Sequence, residues 1–175
     1  MTDSLMTSKE SLSVFLKKNI DIAEYRLFNG GFFYDLSNMK EHGFDNVKSL
    51  FIRKEDYSEE KCMEFLKYLH LFENLKELSL HGIDAEYIEF PRNLTTIESL
   101  MLFEMKNMNQ YPGNLGDMIN LKKMHISGCP VNHLPLFMTS IESLHMIGTK
   151  MTTISDDISE LTNLKYLTLN QSQTL

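Results

Sequence analysis

One arrangement of apolar and polar positions recurs along the chain: an apolar residue, two others, an apolar residue, one other, and an apolar residue. It reads Leu75-Leu78-Leu80, Ile97-Leu100-Leu102, Leu121-Met124-Ile126, Ile141-Leu144-Met146 and Leu164-Leu167-Leu169, with weaker copies at Val47-Leu50-Ile52 and Ile22-Tyr25-Leu27. The seven copies start at 22, 47, 75, 97, 121, 141 and 164, between 20 and 28 residues apart, a period that belongs to repeat architectures. The last two anchors of each copy lie two residues apart, so in a strand they share a face and the residues between and beyond them share the other. One such strand cannot bury its apolar face alone. Stacking successive copies as a parallel sheet, each followed by a return segment, gives every copy a core made with its neighbours. The pattern therefore predicts an α/β chain with a parallel sheet of about seven short strands. Leu78, Leu80, Leu100, Leu102, Met124, Ile126, Leu144, Met146, Leu167 and Leu169 should be buried.

Two stretches switch from strand to helix spacing. After Thr7, Glu10 stands three residues on as a capping box, and Leu12, Phe15 and Leu16, with Val14 beside them, form an apolar stripe to about Asn19. Residues 1–21 are thus expected as a helical cap on the array at 22–175. In the longest repeat, residues 47–74, Ser58 is the expected N-cap, and Glu59 and Glu60 suit the positive end of a helix. Cys62, Phe65, Leu66 and Leu69 recur on one of its faces. The shorter repeats leave room only for brief turns or 3₁₀ segments, and Pro91, Pro112 and Pro135 favour extended returns.

The clearest copy is Leu121-Lys-Lys-Met-His-Ile-Ser-Gly-Cys129-Pro-Val131-Asn-His-Leu134-Pro135. In this phrase, and in Glu160-Leu-Thr-Asn-Leu-Lys-Tyr-Leu-Thr-Leu, the chain resembles the leucine-rich-repeat family, of the intracellular type without disulfide caps, over residues 22–171. The resemblance implies a curved solenoid. It assigns Cys129 to the place where the family has Asn or Cys, a small polar group that satisfies the turning backbone. Val131 and Leu134 then fill the return loop, and one copy later Thr149, Met151 and Ile154 keep the same plan as Cys129, Val131 and Leu134. Ile83 and Met105 depart from the pattern by replacing the Asn.

Two rows of residues should face away from the core. The middle position of each strand reads Arg26, Phe51, Ser79, Met101, His125, His145, Thr168, and the position after the last anchor reads Phe28, Arg53, His81, Phe103, Ser127, Ile147, Asn170. Large apolar groups on a surface mark interaction sites. Phe51, Arg53, His81, Met101, Phe103, His125, His145 and Ile147 are accordingly the candidate partner-binding residues, on the concave face that a solenoid would have. Three histidines in nearby strands would titrate together near pH 6 and make binding pH-sensitive. The twelve methionines suit either an irregular core or an adaptable surface.

Composition narrows the partners. At 42% hydrophobic and 23% charged residues the chain is neither disordered nor a membrane protein by composition. No apolar run reaches the ~18 residues of a spanning helix, and the start lacks the basic and apolar blocks of a secretion signal. A cytoplasmic or otherwise intracellular site, with unpaired Cys62 and Cys129, is the expectation. The sequons at Asn93 and Asn170 carry no weight without a secretory route. A net charge of −7 without a Lys/Arg cluster argues against nucleic acid. No nucleotide or hydrolase motif is present. Cys129 and His133 have the spacing of half a zinc site, but no second ligand pair accompanies them.

The expected function is a non-enzymatic protein-binding module without metal or cofactor, its partner a protein and not a membrane. The alternatives are the recognition arm of a larger ubiquitin ligase or of a bacterial effector acting inside a host cell, and, more remotely, a stand-alone enzyme with a loop-built site. The last copy reaches Leu169 with few residues after it, so its core is expected to be open. That end would belong to a longer array, be covered by a partner or a second copy, or fray.

Overall fold

The computed structural model describes residues 27–29, 32–34, 47–54, 59–92 and 94–170. Eight strands form one sheet: β1 (Leu27–Asn29), β2 (Phe32–Tyr34), β3 (Ser49–Arg53), β4 (Glu77–His81), β5 (Ser99–Phe103), β6 (Lys123–Ser127), β7 (Ser143–Ile147) and β8 (Tyr166–Asn170), in the order β2-β1-β3-β4-β5-β6-β7-β8. From β3 to β8 every pairing is parallel and no strand slips, so Leu50, Leu78, Leu100, Met124, Leu144 and Leu167 form one row and Ile52, Leu80, Leu102, Ile126, Met146 and Leu169 another. The chain is an α/β fold built on an open, six-strand parallel sheet with little helix.

The two rows of anchors are the inner face of the sheet. From Leu50 to Met146 all ten of these residues are buried, and each strand is tied to the next by an offset of a single repeat. At the entry edge, one carbonyl accepts from two successive N–H groups of the following repeat. Lys76 and Glu77 donate to Lys48 O, Glu98 and Ser99 to Lys76 O, Lys122 and Lys123 to Glu98 O, Glu142 and Ser143 to Lys122 O, and Lys165 and Tyr166 to Glu142 O. At the exit edge Gly82, Glu104, Gly128 and Gly148 donate to the carbonyls of Phe103, Ser127, Ile147 and Asn170. All four have left-handed φ, between 50° and 72°. A side chain is strained there, which explains glycine at three of the four positions and makes Glu104 the exception.

The return segments supply the other half of the core. In the longest one, helix α1 (Glu59–Leu66) buries Cys62, Phe65 and Leu66 and exposes Glu60 and Glu64. The helix stops at Leu66, and Leu69 reaches the core from a following 3₁₀ turn rather than from the helix itself. The shorter returns carry single 3₁₀ turns at Ala85–Tyr87, Leu115–Asp117 and Asp156–Glu160. Ile83, Met105, Val131 and Leu134 are buried beneath them. So are Met108, Met118, Met138 and Met151, and the methionines therefore serve mainly to fill uneven space between repeats. Cys129 is buried as well, with its thiol directed at Leu102 O (3.5 Å) and Ser127 O (3.4 Å). It satisfies turning backbone as the repeat pattern anticipates.

A polar ladder runs beside the core. The residue before the first anchor is Asn120, Ser140 or Asn163 in the last three repeats. Asn120 donates to Thr95 O (2.8 Å), Ser140 to Leu121 O (2.8 Å) and Asn163 to Thr139 O (2.8 Å). Each bond crosses to the preceding repeat and satisfies a carbonyl that no strand can reach.

Four expectations are corrected. The copy beginning at Ile22 does not add a seventh parallel strand: β1 runs antiparallel to both β2 and β3, with Leu27 opposite Leu50. Only two residues, Gly30 and Gly31, separate β1 from β2, and a parallel pair needs a crossover of a dozen or more. An apolar alternation does not encode strand direction. Leu167 and Leu169 are half-buried rather than buried, because among the described residues β8 is paired on one side only. Ile154 is 52% exposed, since no further return follows β8 among the described residues for this one to pack on. Helix α1 is shorter than its apolar stripe. The expected cap at residues 1–21 and its Ser58 counterpart before α1 lie outside the described residues.

Candidate functional site

Strict parallel register fixes what the other face of the sheet presents. Outward residues alternate with the inner anchors along each strand from β3 to β8, and because no strand slips, these half-buried or exposed residues fall into three straight rows. The first is Ser49, Glu77, Ser99, Lys123, Ser143, Tyr166; the second is Phe51, Ser79, Met101, His125, His145, Thr168; the third is Arg53, His81, Phe103, Ser127, Ile147, Asn170. All eight sequence-proposed residues (Phe51, Arg53, His81, Met101, Phe103, His125, His145 and Ile147) lie in the second and third rows. Arg26 lies outside the described residues, and of Phe28 only the backbone, in β1, is described.

These side chains are less open than free surface groups because they lean on one another. The Arg53 guanidinium lies over the Phe51 ring at 5.2 Å, a cation–π contact. A chain of rings crosses four strands: His81 to Phe103 at 6.5 Å, Phe103 to His125 at 5.2 Å and His125 to His145 at 5.8 Å between centroids. At its two ends the histidines are held from the side. His81 Nε2 lies 3.5 Å from Glu104 Oε2, and Ser143 Oγ shares a 3.0 Å hydrogen bond with His145 Nε2. Ser79 Oγ and His81 Nδ1 are buried atoms without a hydrogen-bond partner among the described residues.

Burial, and after it the nearby His145, holds the His125 imidazole below its ordinary value. Both act against the charged form. Among the described residues no group of three or more His, Cys, Asp and Glu side chains could hold a metal. Cys129 and His133 do not form a ligand pair. Cys129 is inside the core, its thiol pushed by burial up to about 11, whereas His133 is exposed and its Nδ1 lies 3.1 Å from Asn132 Oδ1.

Two features escaped the reading of the sequence. On the return side, the Tyr111 ring meets His133 at 5.1 Å and Phe137 at 5.7 Å, both edge-on, and the Tyr111 hydroxyl donates to His133 O at 2.6 Å. His133 and Phe137 lie 22 and 26 positions after Tyr111, about one repeat on, in a return whose irregular path the strand phrase does not specify. The second is a charged row at the entry edge: Lys76, Glu98, Lys122, Glu142 and Lys165 occupy the same place in successive repeats. Lys76 pairs with Glu98 at 2.8 Å and Lys165 with Glu142 at 2.7 Å. The hydrogen bond from each lysine holds its glutamate below the usual carboxylate range. Alignment of the copies contains this alternation of sign; only the register shows that the pairs touch.

No family model matches the chain, and no curated protein matches it. Among the described residues no helix is long and apolar enough to cross a membrane.

Proposed function

We propose that the chain is a leucine-rich-repeat solenoid that acts as a non-enzymatic protein-binding module, holding a partner protein on the sheet face opposite its core. The observation that carries the reading is the composition of that face: Phe51, Met101, Phe103 and Ile147 stand in two unbroken rows together with three histidines. A sheet face needs no such groups to fold, since the anchors on its inner side supply the core. Aromatic and Met side chains flanked by polar ones are the composition of an interface centre. Six strands at ~4.8 Å spacing make the face about 24 Å wide, enough for a helix or an extended segment.

The test is a double substitution, Met101→Ala with Phe103→Ala, compared with the intact protein in pull-downs from the native cell type. Partners recovered only by the intact protein are then purified and titrated directly. Binding should weaken at least tenfold, a loss of about 1.4 kcal/mol, while the melting temperature stays nearly unchanged. A double variant that binds a verified partner at full strength sinks the proposal.

A further inference from the structure

The charge on this face is opposite to that of the chain. The protein carries a net −7, and among the described residues exposed carboxylates stand on the returns, at Glu73, Glu86, Glu89, Asp117, Asp156 and Asp157. Across the three rows of the sheet face, Glu77 is the one carboxylate among the described residues, and it already accepts a 2.8 Å hydrogen bond from Ser49 Oγ. Against it stand Arg53 and Lys123, together with His81, His125 and His145. From β5 to β8 the face holds no carboxylate. Its polar groups are Ser99, Lys123, His125, Ser127, Ser143, His145, Tyr166, Thr168 and Asn170, all donors or potential donors of hydrogen bonds. Phe103 and Met101 border this half on β5, and Ile147 lies within it on β7.

We propose, resting on the docking role above, that the segment held on this face is acidic: it presents a carboxylate to His125, His145 and Lys123, and an apolar side chain to Met101, Phe103 and Ile147. It binds with uptake of a proton from bulk water by the His125–His145 pair. The two rings lie 5.8 Å apart and one carboxylate can reach both. In the free protein burial and the nearby His145 disfavour the charged form of His125, and no carboxylate stands in the outer rows of β5, β6, β7 or β8. Glu104 extends from the turn after β5, and its carboxylate lies 3.5 Å from His81. Lys123 on the same strand, which the entry-edge carboxylates of Glu98 and Glu142 approach from beside the face, and Tyr166 across β7 are the other titratable groups on this half. A carboxylate arriving from a partner reverses the local balance and makes the imidazolium the favoured form. Because the complex then holds a proton that the free protein does not, affinity rises as pH falls, by up to about tenfold per pH unit for each proton taken up.

The experiment uses a displayed library of random peptides selected on the full chain at about pH 6 and at about pH 8, bracketing the histidine range. Enriched sequences should combine Asp or Glu with Leu or Phe. Their synthetic forms should bind about tenfold more tightly at the lower pH, and replacing Asp and Glu by Asn and Gln should remove that gain. In the wild-type protein, NMR titration should show the His125 and His145 ring signals changing at higher pH in the complex than in the free chain, a readout that needs no variant to fold. His125→Gln with His145→Gln should flatten the pH dependence and keep residual binding. Peptides that are uncharged, bind equally at both pH values and still depend on Met101 and Phe103 would overturn the acidic partner and leave the docking role intact. Peptides indifferent to Met101→Ala with Phe103→Ala, or no enrichment at all, would overturn the docking role and this inference with it.

Discussion

β7 and β8 carry nearly the same phrase and have different fates. Leu144 and Met146 in β7 are buried completely, whereas Leu167 and Leu169, their direct partners in register, remain half-buried, and Tyr166 at the start of β8 is 67% exposed. Nothing in the two strands accounts for this, since both are five residues long and both place apolar anchors at the same two positions. The difference lies in the neighbours: among the described residues β7 is packed from both sides and β8 from one. Burial in a stacked array is therefore a property of position in the stack, and an anchor is worth what the next repeat makes of it.

The largest expected effect follows directly. Leu144→Ala or Leu100→Ala should cost roughly 2–5 kcal/mol through lost burial and a residual cavity, whereas Leu169→Ala should cost about 1 kcal/mol, since Leu169 is only partly buried and no closed cavity remains. Urea denaturation of the variants measures both. Equal losses would mean that the outer side of β8 is covered in solution, and the comparison would fail.

A smaller effect tests the exit edge, where repeats also differ. Gly128 has φ of 65°, and a Cβ there would stand 3.2 Å from Glu104 Cγ, so Gly128→Ala should destabilise by roughly 1–2 kcal/mol. The converse change, Glu104→Gly, relieves a left-handed side chain and should stabilise by about 0.5–1 kcal/mol, while releasing His81 from its carboxylate. Thermal melts of the two variants should move in opposite directions.

The smallest effects belong to the outer face. His125→Ala should change stability by less than about 0.5–1 kcal/mol, far below Leu144→Ala on the neighbouring strand. Its pH signature is more telling than its size. With the folded imidazole held below its ordinary value, the unfolded chain binds the proton more readily, so stability falls as pH drops through the ordinary histidine range and is unaffected above it. His125→Gln should remove that slope, and a slope of the opposite sign would contradict the burial and His145 repulsion described above.

Much of this was legible in the order of residues. A phrase with two anchors spaced by two specifies a face, and its recurrence specifies a neighbour, so the order and register of β3 to β8 and all eight residues of the candidate site followed from counting. Three kinds of information were not in the pattern. Strand direction was one: Leu27 belongs to an apolar alternation that fits either sense, and only the short link between β1 and β2 decides it. The completeness of burial at Leu167, Leu169 and Ile154 depends on what lies beyond them. Contacts between returns were the third, because Tyr111, His133 and Phe137 meet through the geometry of stacking and not through any spacing along the chain. The exposure of the face was overstated for a related reason: the rows were read as separate side chains, but Arg53 covers Phe51 and the rings from His81 to His145 cover one another.

The two cysteines give the molecule a pair of internal clocks. Cys62 is buried on the inner side of α1, in the return after β3, and Cys129 in the turn after β6, three strands further along the stack. A thiol reacts as its thiolate and only when reagent can reach it, and Cys129, pushed up to about 11, offers neither in the closed state. The rate at which each is alkylated therefore reports how often its own repeat opens. If both react at one rate, the stack opens as a unit. If Cys62 and Cys129 keep different times, the array comes apart in pieces, and the ratio of the two rates measures how far along the stack one repeat feels the loss of another.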